Sequence, residues 1–486
     1  MIPTYAELEL ELHRTKTELN QTKTELNQTK AELNQTRELL KKAIEEIHKL
    51  SDEVAKLKEQ ISKNSKNSSK PPSSDQKGNT DSNQLKKERK KRKGKARAPF
   101  PPERIDRHIQ CSQENCPHCG SVAIQLNGQS PEILQQAELP EVKATVTEYQ
   151  LLKYGCATCG KNSVAPLPVG VPDSAFGPKL MGLMVTLTGV FHLAKREAVQ
   201  LIKELYGVDM GVGSVSNIEE RVSEALDPIY QRIHGFIMES KLCKHFDETG
   251  WRDRGRRHYV WLASCEQAAI YMIDRHRSSE AFLKLFTTNP DSVSAVTDRY
   301  AVYSIFKTHQ YCLAHLIRDF HSYAEREGPD KEIGKALEST LKKVCHTHKR
   351  YREGKITLTE RNRRIGHLKR KLECHLEDGM ANGSDDLFKL SQTLLDDFDK
   401  LWMFTTIPGM EPTNNLAERD LRKLVIWRRK SYGTRSDRGK RFVERITTVA
   451  QTLKRRSQSI LSFIQEVIIG FYNKVTTPFI SEALGF

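Results

Sequence analysis

The chain has 486 residues, with 78 Lys plus Arg against 62 Asp plus Glu and a formal net charge of +16; such a balance points to a polyanionic partner, nucleic acid first. The length exceeds one compact core and suggests roughly two to four domains. No apolar run reaches the roughly 18–20 residues of a membrane span and MIPTYAELEL lacks the regions of a signal peptide, so a membrane partner is excluded, a cytoplasmic location is expected, and the ten Cys are better read as metal ligands than as a disulfide framework.

TELNQTK, TELNQTK and AELNQTR repeat with a period of seven from Thr17 to Arg37. Leu12, Leu19, Leu26, Leu33, Leu40, Ile47, Val54 and Ile61 hold one apolar seam, while the partner position carries Thr15, Thr22, Thr29 and Thr36 before Ala43, Leu50 and Leu57. Residues 1–62 therefore predict a coiled coil that brings copies together. Residues 63–105 (SKNSKNSSKPPSSDQ, then KKERKKRKGKARAPFPPER) offer almost nothing to bury and predict a disordered basic linker, either a phosphate grip or a solubilising tether.

Residues 106–170 contain CPHCG and CATCG. Cys116, Cys119, Cys156 and Cys159 form two Cys-x-x-Cys knuckles, each followed by a turn-permitting glycine, and predict one structural zinc in a zinc ribbon, with Cys111 and His118 as spare donors. Residues 171–240 read as helical: an amphipathic helix, a turn around Gly207 to Gly213 and a second helix from near Ser214 fit a DNA-binding helix-turn-helix or a helical hairpin of a larger core.

Over 241–321 the pattern changes to strands (KLCKHFD, HYVWLASC, AAIYMID), a helix (SSEAFLKLF) and further strand-helix units. That order predicts a ribonuclease H-like α/β core, with Asp247 ending the first strand and Asp298 the fourth. Adjacent carboxylates repel unless a divalent cation holds both ionised, so the pair predicts a Mg²⁺ site with Arg252 and its basic neighbours Arg254, Arg256 and Arg257 toward DNA. Residues 322–405 predict a helical insertion. Cys345, His346, His348, Cys374 and His375 there read as solvated or core residues rather than a second metal site, and Trp402 with Phe404 either stacks on an unpaired base or anchors the insertion. In 406–486 Pro412, Thr413 and Asn414 start a helix that puts Glu418 in its first turns as the third acid; Arg419, Arg422, Arg428, Arg429, Lys430 and Arg435 follow as candidate DNA contacts, before basic C-terminal helices.

SSKPPSSD, the paired knuckles, FDETGWR, TDRYAVY, HQYCLAHLIRDF and NNLAERDLR, in this order, resemble the insertion sequence 66 family of bacterial DDE transposases, over nearly everything after the heptads. The resemblance implies a ribonuclease H-like core in which Asp247, Asp298 and Glu418 hold two Mg²⁺ ions, with Mn²⁺ as a substitute. It also implies cutting of transposon ends and joining of the freed 3′ hydroxyl to target DNA, in a bacterial, nucleoid-associated setting that leaves room for accessory proteins. The family's Cys-x-x-His is matched by Cys312 and His315, whose role the sequence leaves open. The stretch LVIWRRKSYGTRSDRGKRF departs from many relatives, which bears on the DNA contacts rather than the acids. The expected fold class is thus multidomain α+β: coiled coil, zinc ribbon, helical DNA-binding region and ribonuclease H-like core with a helical insertion. A non-catalytic DNA-binding factor and a nuclease without strand transfer are the alternatives.

Overall fold

A computed structural model describes residues 5–62, 98–125 and 129–474. Most of the expected basic linker, 63–97, lies outside the described residues. The first element is one continuous helix, α1 (Tyr5–Ser62), of 58 residues, about 87 Å long at about 1.5 Å per residue. Thr15, Thr22, Thr29 and Thr36 each donate to the carbonyl four residues back, so hydroxyls at the partner position of the heptad are satisfied within their own helix. Leu12, Leu19, Leu26 and Leu33 are each more than half exposed.

The chain divides into two compact units, the larger of which includes α1. Among the described residues the smaller takes in 98–125, 129–222 and 464–474. Its strands β1 (Lys153–Gly155) and β2 (Asn162–Val164) pair antiparallel around the second Cys knuckle. Helices α2 (Pro178–Val185) and α3 (Lys195–Tyr206) follow; Gly207, at φ +68°, stops α3, and α4 (Val212–Glu239) begins five residues on. Met181, Met184, Ala198, Ile202, Val215 and Ile218 form the apolar centre of these helices.

The larger unit is built on a five-stranded sheet. β3 (Lys244–Asp253), β4 (Arg256–Ser264) and β5 (Ala269–Asp274) form an antiparallel meander. α5 (Ser279–Leu285) then returns the chain so that β6 (Ser294–Thr297) runs parallel to β3, and β7 (Thr308–Tyr311) parallel to β6. The order across the sheet is β5-β4-β3-β6-β7. Phe246 of β3 stacks on Phe306 at 5.0 Å and meets Phe282 and Phe286 edge-on, and such rings contribute beyond their buried area.

Helices α6 (Leu313–Ala324), α7 (Pro329–Arg352), α8 (Leu358–Asn382) and α9 (Asp385–Asp396) come next and share one apolar cluster with Leu401, Trp402 and Phe404. Gly334 lets α7 approach α6 closely, since a Cβ there would sit 2.6 Å from the Ala324 nitrogen. The described chain closes with α10 (Asn415–Ser431), α11 (Asp437–Arg455) and α12 (Ile460–Tyr472).

Two polar devices fasten α10 and α11 to the sheet. Asp420 of α10, 2 % exposed, accepts from Ser264 and Gln451 and pairs with Arg455. On the margin strand β5, the amides of Ala269, Tyr271 and Ile273 donate to Thr452, Thr448 and Glu444 of α11. Acceptors four apart on a helix advance about 6 Å and amides two apart on a strand about 6.6 Å, so the spacings match closely enough to dock three times.

Candidate active site

Asp247 does not end its strand. The polar run after it reads as a turn, but residues through Asp253 pair with β4, closing at Asp253 opposite Arg256. The reversal is the two-residue turn Arg254-Gly255, with φ +50° and +75°, a positive pair that suits the twist of a hairpin. Trp251, 1 % exposed, gives this polar stretch a buried anchor. Asp247 therefore lies inside the sheet, where β3 pairs with β4 on one side and with β6 on the other.

In the parallel pairing of β3 with β6, His245 lies opposite Val296; the same register carried two residues further sets Asp298 beside Asp247. Burial pushes Asp247 well above the usual carboxylate range, and repulsion from Glu248, Asp298 and Glu418 adds to it. Burial also raises Asp298, against the Tyr300 amide and the charges of Arg277 and Arg299. Glu418 lies in the first turn of α10, and its charge reaches Asp247. Its carboxylate accepts from Arg318 at 2.8 Å and stands 3.6 Å from His315.

Cys312 caps the start of α6, with its sulfur accepting from the Asn414 amide at 3.1 Å. Burial pushes the Cys312 thiol up to about 12 and His315 down to about 4. The donor atoms of Cys312, His315 and Glu418 lie within 4.8 Å of one another, the one such set of three among the described residues. Of the other expected Cys and His residues, His348 is buried, Cys345 and His375 are half-buried, and His346 and Cys374 are exposed.

Several polar partners at the site escape a reading of the sequence. Glu248, adjacent to Asp247, accepts from Tyr303 at 2.5 Å and from Arg277 at 2.8 Å, and the Arg277 guanidinium lies 4.0 Å from the Tyr300 ring centroid. Burial raises Glu248 as well, opposed first by the Tyr303 bond. Asn414 sits at the start of α10, as expected, yet makes no side-chain cap; its amide turns toward β3. The sequence signal for Glu248, Tyr300, Tyr303 and Asn414 is their closeness in the chain to Asp247, Asp298 and Glu418, whereas Arg277 stands 21 residues before Asp298 and has none.

Among the candidate DNA contacts, Arg252, Arg419, Arg422, Arg429, Lys430 and Arg435 are exposed. Arg428 is half-buried and donates to the Gly250 carbonyl. Past α10, Thr434 exchanges backbone bonds with Arg252 and Arg254 and accepts from the Trp251 indole. Trp402 and Phe404, 3 % and 2 % exposed, anchor the helical cluster instead of presenting rings to solvent.

In the smaller unit both knuckles repeat one geometry: Gly120 and Gly160 donate to the carbonyls of Cys116 and Cys156 at φ +77° and +67°. The Ser121 amide and hydroxyl, then Cys116, hold Cys119 below the usual thiol range. The Cys159 and Thr158 amides do the same for Cys156. Hydrogen bonds thus favour the ionised form of one cysteine in each knuckle, although no three of the four thiols lie within 4.8 Å of one another.

Half-buried acids on and just after neighbouring strands beside a basic helix, in a mixed α+β chain that also carries cysteine knuckles, suit a protein that handles a polyanion such as DNA. The chain belongs to the Transposase IS66 family, whose model matches residues 173–441, more than half of it. Residues 113–160 match the zinc-finger binding domain of transposase IS66, which supports a structural Zn²⁺, and residues 15–99 match a family of unknown function. No curated relative matches the chain. As a transposase it acts on DNA, and no helix among the described residues is long and apolar enough to cross a membrane.

Proposed function

We propose that this transposase cuts the ends of its element and joins the 3′ hydroxyl to target DNA at a ribonuclease H-like core, with Asp247, Asp298 and Glu418 as catalytic residues holding two Mg²⁺ ions, or Mn²⁺ in their place. One observation supports the reading: β3 and β6 run parallel with His245 opposite Val296, and each strand reaches its acid two residues further on. The strand order β5-β4-β3-β6-β7, with β4 alone opposed to its neighbours β3 and β5, supports the core. The donor set fits the ions in kind, because all three groups offer hard carboxylate oxygens and two are raised by burial, although the three carboxylates do not lie within 4.8 Å of one another and Glu418 must swing from Arg318 to join the other two. When bound, Mg²⁺ supplies positive charge that favours the ionised acids and polarises phosphoryl oxygens.

The protein's own groups then have distinct tasks. Asp247 and Asp298 present carboxylates from neighbouring strands, and Glu418 closes the site from α10 by releasing Arg318. Arg277, steadied by Glu248 and the Tyr300 ring, keeps a positive charge near Asp298 for a non-bridging phosphate oxygen. Arg252, Arg419, Arg422, Arg429, Lys430 and Arg435 contact the DNA backbone, whereas Arg428 braces α10 against β3. Cys116, Cys119, Cys156 and Cys159 hold the zinc, α3 and α4 form a DNA-binding helix pair, helices within 322–405 form the insertion, and α1 pairs chains so that two ends are processed together. A cytoplasmic, nucleoid-associated location follows from such a substrate.

The test is a cleavage and strand-transfer assay on DNA carrying the element's terminal repeats. Wild type is expected to cut and join with Mg²⁺, and Asp247→Asn, Asp298→Asn and Glu418→Gln to bind those ends while cutting at least about 100-fold more slowly (~3 kcal/mol at the barrier). Undiminished cutting by any of the three sinks the assignment.

A further inference from the structure

Three acids that act together come from segments far apart in the chain, and something must fix their spacing. Asp247 is on β3, Asp298 follows β6 and Glu418 is on α10. β3 and β6 pair directly, and the start of α10 is tied to them at a single residue, Asn414, through its side chain and its backbone.

Asn414 is wholly buried. Its Nδ2 donates to the Phe246 carbonyl at 2.7 Å, one residue before Asp247, and its Oδ1 accepts from His245 Nδ1 at 3.0 Å. Its backbone amide donates to Cys312 Sγ at 3.1 Å. The Cys312 amide in turn donates to the Thr297 carbonyl at 2.8 Å, one residue before Asp298. Finally the Asn414 carbonyl accepts from the Glu418 amide at 3.1 Å, the first helical bond to reach that residue. Each acid thus sits one residue, or one helical turn, from this set of bonds.

We infer that Asn414 is the positioning residue of the site, locking the backbones that carry Asp247, Asp298 and Glu418 into one geometry through Phe246, His245 and Cys312. This rests on the reading of those three acids as the metal-holding set. Asn414 touches neither substrate nor ion; it acts through the acids, as outer partners orient metal ligands elsewhere, where their loss costs about 10–100-fold in metal affinity or activity. An alanine or serine keeps the backbone but cannot bridge to β3. Cys312 acquires a task independent of metal ligation: its sulfur is the acceptor that ties α6 to the start of α10.

The experiment titrates Mn²⁺ into the zinc-loaded full chain and follows free ion by electron paramagnetic resonance. The double variant Asp247→Asn/Asp298→Asn sets the baseline: if it binds Mn²⁺ as wild type does, the acid site itself is wrong, and the fault lies with the proposed function. If the baseline holds, Asn414→Ser is expected to raise the Mn²⁺ dissociation constant by about 10-fold or more, with the unfolding temperature of the zinc-bound chain retained. A folded Asn414→Ser that binds as wild type overturns the inference. Should that variant not fold, the Cys312 pair decides: Cys312→Ser, which keeps an acceptor, is expected to bind within about threefold of wild type, and Cys312→Val about 10-fold more weakly. Equal binding by the two overturns it.

Discussion

Asp247→Asn should make the metal-free protein more stable while removing its response to metal. Asp247 is half-buried, its charge is opposed by Glu248, Asp298 and Glu418, and among the described residues its carboxylate accepts from the Glu248 amide at 2.8 Å. Asparagine keeps an oxygen for that amide and removes only the charge. Relief of strain at a functional site is typically worth about 0.5–2 kcal/mol, and about 1 kcal/mol corresponds to a rise of roughly 2–4 °C in a unit of this size. Metal reverses the ranking: an ion at a hundred times its dissociation constant stabilises wild type by about 2.7 kcal/mol, and the variant gains little. The assay is thermal unfolding of zinc-loaded chain in magnesium-free buffer and again in saturating Mg²⁺, and the two melting curves must cross over. A variant less stable than wild type without Mg²⁺, yet shifted equally by it, would refute the reasoning.

Asp420→Ala removes the carboxylate partner of Arg455, which keeps the Cys265 and Ala268 carbonyls and the Ser264 hydroxyl, and should cost about 1.5–3 kcal/mol in urea unfolding, much of it recovered in Asp420→Leu/Arg455→Met; a loss below about 1 kcal/mol would show the pair to be idle. Burial raises Glu444 to about 7 from an ordinary 4.5, so the protonated form is favoured by folding, and this contribution is complete below about pH 4.5 and lost as pH rises through 7. Glu444→Gln keeps the acceptor for the Ile273 amide, so it should match wild type near pH 4.5 and exceed it by up to about 3 kcal/mol at pH 8, a gap visible in unfolding at both pH values and contradicted by a constant difference. Cys116→Ser should lower bound zinc from one ion per chain to a small fraction by elemental analysis, and retention of a full equivalent would remove that thiol from the ligand set. Removing residues 1–62 should reduce the sedimentation mass to that of one chain; an unchanged oligomer would take that role from α1.

How much of this could be read beforehand differed by the range of the interaction involved. α1 was legible because its heptad is local and regular, and Asp298 because strand, acid and turn follow one another in AVTDRY. The length of β3 was hidden: its second half is polar, its turn is Arg-Gly rather than the usual Asn-Gly, and its buried anchor Trp251 stands alone between charges. Trp402 is ambiguous in the sequence because an aromatic ring suits a base or a core equally, and only the fold brings Phe398 and Phe404 against it inside an apolar cluster. Asn414 was read as a helix start, which is where it sits, but its partners lie more than 100 residues away, and no local pattern records them.

The three bonds from α11 to the margin of β5 carry a last consequence. An open strand edge invites pairing with any other such edge, and the hazard grows with local concentration. A transposase gathered by its first helix would hold identical sheets near one another for as long as the assembly lasts. By giving alternate β5 amides to Thr452, Thr448 and Glu444, the fold leaves that rim no free donor ladder, so copies can crowd together without zipping into a continuous ribbon.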